Sequence, residues 1–140
     1  LIAKVSDLQG QNKNLRDKLE RIGPGLEMPP CWANRESGKP EYIFDVALTS
    51  TGFIVRDRTP PHRMTQRTEL PVNMTFDQEI TSTQFLAEAY PLYQWSVQSQ
   101  CRFFVRAFDQ TGSGEKREYK LMMRRLETRF YKLEVLNESF

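Results

Sequence analysis

One histidine and two cysteines carry most of the chemistry this chain could perform, and their positions restrict it at once. His62 sits between Pro61 and Arg63 in a stretch rich in proline and arginine, so a Ser-His or Cys-His nucleophilic unit would have to be built there. Nothing nearby argues for one, and a solvated loop histidine is the expectation. Cys31, Cys101 and His62 supply three metal ligands at most, widely separated and without a C-x-x-C or H-x-x-x-H spacing, so neither a metal nor a cofactor is expected. For Cys31 and Cys101 two states stay open: free buried thiols, or a disulfide tying Pro29-Pro30-Cys31-Trp32 to a later strand. In an oxidising compartment a bridge closing so long a loop stabilises by about 4 kcal/mol on the chain-entropy model.

Gly112-Ser113-Gly114 precedes a helix N-terminus, where anions can bind, but it lacks both a Walker lysine and a G-x-G-x-x-G pattern. A flexible turn is the simpler reading. Glu115, Glu118 and Glu127 stand beside Lys and Arg on a helix exterior, where solvated i,i+4 pairing accounts for them. The same helix, residues 116–129, carries a candidate basic partner surface of Lys116, Lys120, Arg124, Arg125 and Arg129, with Phe104 and Tyr131 near enough to add stacking. That is the best case for a nucleic-acid module. Against it, 20 Lys and Arg balance 18 Asp and Glu to a net charge of +2, which makes no strong field for collecting a polyanion.

These residues must be positioned by the elements that 140 residues allow, which is one domain plus an appendage. No apolar run approaches the roughly 18 residues of a bilayer span. The chain opens Leu1-Ile2-Ala3-Lys4 without Met or leader, and the expectation is a fragment whose upstream region would hold any anchor.

Leu1, Val5, Leu8, Asn12, Leu15, Leu19 and Ile22 alternate spacings of four and three, which is a heptad seam over three repeats. Charged residues occupy the outer positions and Gly23-Pro24-Gly25 stops the helix. An amphipathic helix folded onto its own domain would show a similar stripe. Asn12 within the seam favours a parallel homodimeric coiled coil instead, because a core Asn fixes register and two-strandedness. Residues 1–22 are therefore expected to form a dimerising stalk.

Residues 23–40 hold four prolines and three glycines and read as a linker. Cys31 and Trp32 are costly to leave in water and should dock on the domain of residues 41–140. There Tyr42, Phe44, Val46 and Leu48 alternate in a strand, Thr49–Gly52 turns, and Phe53–Arg56 returns as a hairpin. Residues 57–75 lack a period and read as a long surface loop. Thr81-Ser82-Thr83-Gln84 is a capping box flanked by an Ile80/Phe85 staple, so a helix should begin at Ser82 and kink or restart at Pro91. A strand follows over 101–107. Tyr119, Met122, Met123, Leu126 and Phe130 mark a second helix, and 132–136 a last strand. Hairpin, helix, strand, helix, strand predicts an α+β fold: a small mixed sheet with two helices packed on it.

The run Cys101-Arg102-Phe103-Phe104-Val105-Arg106-Ala107-Phe108-Asp109, then a helix ending Leu126-Glu127-Thr128-Arg129-Phe130, then Lys132-Leu133-Glu134-Val135, resembles the periplasmic domain of TolR and ExbD. Val105-Arg106-Ala107 and Asp109 match the family's apolar-Arg-Ala-Asp strand, with Phe108 inserted. The resemblance covers roughly residues 41–136. It implies a non-enzymatic accessory subunit of a proton-driven channel of the TolQ, ExbB and MotA kind, on the periplasmic side of the inner membrane, with one upstream membrane helix and an envelope or cell-wall partner. The membrane helix and its ion-carrying Asp lie outside this chain, and the heptad stalk and Cys-Trp segment depart from the family's usual form. The alternative is a cytoplasmic coiled-coil adaptor or nucleic-acid-binding module that uses the basic helix.

Overall fold

The structure, a computed structural model, describes Gly10, Gln11 and residues 28–140. The seam positions Leu1, Val5, Leu8, Asn12, Leu15, Leu19 and Ile22 lie outside the described residues.

Alternation of apolar residues produces β1 (Tyr42–Leu48) and β2 (Gly52–Asp57), paired antiparallel with Val46 opposite Val55. Thr49 closes their turn: its N–H donates to the Gly52 carbonyl at 3.0 Å, and its hydroxyl accepts from the Gly52 N–H at 2.9 Å. A short helix α1 (Met64–Thr68) and an edge strand β3 (Glu79–Thr81) follow. Next come α2 (Ser82–Gln98), β4 (Phe104–Asp109), α3 (Lys116–Glu127) and β5 (Tyr131–Val135). The sheet order is β3-β2-β1-β4-β5, with β4 parallel to both β1 and β5. The fold is α+β, a mixed five-stranded sheet with helices layered on one side.

Four phenylalanines lock that layer. Phe53 of β2 stacks on Phe85 of α2 at 4.3 Å, while Phe44 of β1 meets Phe130 edge-on at 5.9 Å, and Phe85 meets Phe130 at 6.1 Å. All four are fully buried, each contributing roughly 1.5–3 kcal/mol by leaving water. α2 starts where the capping residues place it, since the Thr81 hydroxyl accepts from the Gln84 N–H at 3.1 Å. The reciprocal half of the box is replaced: the Gln84 amide donates to Glu88 at 2.9 Å.

Three sequence expectations need correction. α2 does not restart at Pro91, because Phe85, Ala89, Leu92 and Ser96 bury one continuous face against the core and outweigh the hydrogen bond lost at the exposed proline. Residues 57–75 are not a plain surface loop. Pro61 opens a 3-10 turn over Pro61–Arg63 that leads into α1, Arg63 is buried, and Leu70, Val72 and Met74 pack against the core. The strand expected from Cys101 begins at Phe104, since Arg102 instead bridges to Pro30 of the linker.

Candidate functional site

Cys31 and Cys101 are joined by a disulfide, with their Cα atoms 4.8 Å apart. The linker is seated around it. Arg102 N–H donates to the Pro29 carbonyl and Cys31 N–H to the Arg102 carbonyl, each at 2.9 Å. Trp32, 3% exposed, meets Phe103 edge-on at 5.5 Å, and Trp95 of α2 lies on the same ring at 5.7 Å. Cys31 and Trp32 are thus part of the core. Gly10 is helical and buried, and a Cβ there would strike the Ala33 carbonyl, while the Gln11 side-chain amide donates to the Cys31 carbonyl at 3.4 Å.

His62 Nε2 lies 2.7 Å from the Glu41 carboxylate, which also accepts from Arg63 Nε at 2.8 Å. Arg63 reaches further, to Gln66 Oε1 at 2.9 Å and the Ala33 carbonyl at 3.2 Å. Burial lowers its guanidinium from the ordinary value. These groups line a polar depression of about 460 Å³ beside the linker. Glu41 therefore acts as the clasp between the 3-10 turn and the docked segment, and His62 projects from it, 63% exposed in its side chain.

The basic surface predicted on α3 divides in two. Lys116, Lys120 and Arg124 are exposed and line a groove of about 540 Å³, opposite Asp109, Glu127 and Glu134. Tyr119 donates to Glu134 across it at 3.0 Å; burial first, then that carboxylate, push its phenol well above the ordinary value. Arg125 and Arg129 turn the other way, onto α2. Arg125 donates to the Ser82 hydroxyl at 2.5 Å and Arg129 to the Leu86 carbonyl at 3.2 Å.

Arg129 also lies over Tyr90 and Tyr93, and Arg102 over Tyr93 and Tyr131, all at 5.0–5.5 Å. Arg102 meanwhile donates to the Glu127 carbonyl at 2.9 Å, satisfying an orphan acceptor at the end of α3. This alternation of rings and guanidiniums fastens α3 to α2 and β4. Only three of the five predicted cations remain as a single exposed patch, and acids face them.

The sequence reading passed over the sheet face turned away from the helices. Asp45 of β1 and Arg106 of β4 pair there through two bonds of 2.8 Å, with side chains 7% and 12% exposed. The hydrogen bonds that Arg106 donates to Asp45 raise its pKa and hold it charged. A signal existed: each is a charge set between apolar neighbours in a strand, Phe44-Asp45-Val46 and Val105-Arg106-Ala107. What pairs them is the parallel β1–β4 register.

Among the described residues no His, Cys, Asp and Glu group could hold a metal ion, and no helix is long and apolar enough to cross a membrane. Comparison with known protein families, curated proteins and solved structures returns no match.

Proposed function

We propose that the chain is a non-enzymatic, dimeric, extracytoplasmic domain on a coiled-coil stalk, the accessory part of a TolR/ExbD-like, channel-coupled membrane protein that contacts an envelope or cell-wall partner. The observation that carries it is the Cys31–Cys101 bridge. Disulfides persist in oxidising compartments and are rare in the cytosol, so the bond favours the periplasmic side over the cytoplasmic alternative. The succession of the β1–β2 hairpin, α2, β4, α3 and β5, with α1 and β3 inserted after the hairpin, supports the resemblance drawn on residues 41–136.

Two measurements test the reading. Native protein unfolded without reductant should present no reactive thiol; two reactive thiols would remove the argument for the compartment. Sedimentation should give a dimer that Asn12→Leu shifts in stability or stoichiometry. A monomer indifferent to that change would remove the stalk.

A further inference from the structure

The helix-free sheet face is crossed by the chain itself. After β5 the backbone bends, and residues 137–140 run back over β4 toward β2. Glu138 accepts from Arg106 Nη1 at 3.0 Å. Phe140 packs edge-on against Phe108 at 5.4 Å, and the Arg56 guanidinium lies over the Phe140 ring, 4.1 Å from its centre. Two side chains two residues apart, a carboxylate and a phenyl ring, make these contacts.

We infer that this face is a docking groove for an extended partner segment carrying a carboxylate two residues before a phenyl ring, and that residues 138–140 occupy it in place of that partner. Three observations carry the inference. The seated tail displays the ligand chemistry directly. The groove is complementary in charge to a carboxylate: among the described residues Arg56, Arg58 and Arg106 stand on it beside Asp45 and Asp77. The tail is also held lightly. Glu138 keeps 56% of its side chain exposed and Leu136 is 89% exposed, and an ion pair with one solvated partner adds little. A tether supplies the tail at an effective concentration on the order of millimolar, enough to keep a weak ligand bound until a competitor arrives.

The groove itself is built to persist. Arg106 is fixed by two bonds to Asp45 that do not involve residues 138–140, and Phe108 is held in the interior strand β4, so both recognition elements are positioned by the sheet itself. The inference goes beyond the proposed function and does not depend on the stalk or the compartment.

The test uses the full chain and its Glu138→Ala/Phe140→Ala variant, with a fluorescein-labelled peptide of the sequence of residues 135–140 as the probe. Neither substituted side chain belongs to the core, and circular dichroism checks the fold. The peptide should bind the variant at least about tenfold more tightly than it binds the unaltered chain, because the tethered competitor is gone. Adding Arg56→Ala should remove most of that gain, and a peptide with one residue more between Glu and Phe should fail. No binding to the variant at millimolar peptide, equal binding to both chains, or equal binding of the respaced peptide would each overturn the inference. Loss of self-association in the variant would assign the groove to the tail of a second copy and overturn the partner reading. Dimer failure alone, seen by sedimentation of the unaltered chain, leaves the peptide result unaffected and so is distinguishable.

Discussion

Replacing Arg106 by Met should cost far more than the loss of one surface charge on a sheet. The substitution leaves the Asp45 carboxylate, 7% exposed, with Arg58 as its remaining cationic neighbour, 3.9 Å away and half exposed. Breaking a buried pair from one side costs about 3–5 kcal/mol, because a desolvated charge loses its partner. Asp45→Asn should cost less, about 1–3 kcal/mol, since one acceptor oxygen remains and Glu138 still neutralises part of Arg106. The double variant Asp45→Val/Arg106→Met removes both charges and should return to within about 2 kcal/mol of the parent. Urea unfolding followed by the fluorescence of Trp32 and Trp95 reads all three. With a slope of about 2 kcal/mol per molar, the Arg106→Met midpoint falls by roughly 2 M. A loss under about 1 kcal/mol for that variant, or a double variant that merely sums the singles, would refute the claim that the pair is desolvated and coupled.

Gly52→Ala places a Cβ against the Ile80 carbonyl of β3, a backbone atom that cannot rotate away. The expected loss is about 1–3 kcal/mol, with hydrogen exchange at Ile80 and Thr81 accelerating ahead of the rest of the sheet. Burial pulls the Glu88 carboxyl upward, but bonds from Gln84 and Thr75 together hold it below its ordinary 4.5. Its contribution is therefore present above 4.5 and disappears as pH falls through the lower folded-state value, so Glu88→Gln should flatten the acid limb of the stability profile.

Local chemistry made much of this legible. The β1–β2 hairpin, the start of α2 at Ser82 and the buried stripe of α3 each follow from spacing and caps within a few residues of chain. What escaped depends on neighbours far apart in sequence. β3 is three residues long and owes its existence to β2, and α1 sits in a stretch without period because Arg63 has Glu41 to bind. Arg125 and Arg129 read as a solvated basic face alongside Lys116 and Lys120. Only the packing of α3 on α2 separates those that meet Ser82 and Leu86 from those that meet solvent. The cysteines stayed ambiguous for the same reason, since residue type records the possibility of a bond and the fold supplies the proximity.

Where the bridge falls bears on how a stalk-borne domain would carry load. Tension arriving through residues 23–30 meets two backbone bonds at Arg102 and then the covalent link to Cys101, three residues ahead of β4. β4 is hydrogen-bonded on both sides, by β1 and by β5, so the load enters the interior of the sheet and bypasses its edges. The 70-residue separation of the cysteines becomes inextensible while the bond holds. At about 3.4 Å per residue, single-molecule stretching between residues 28 and 140 should release roughly 240 Å more contour length under reducing than under oxidising conditions. An equal length in both conditions would mean that Cys31 and Cys101 are not bonded, and the load path into β4 would fall with the bond.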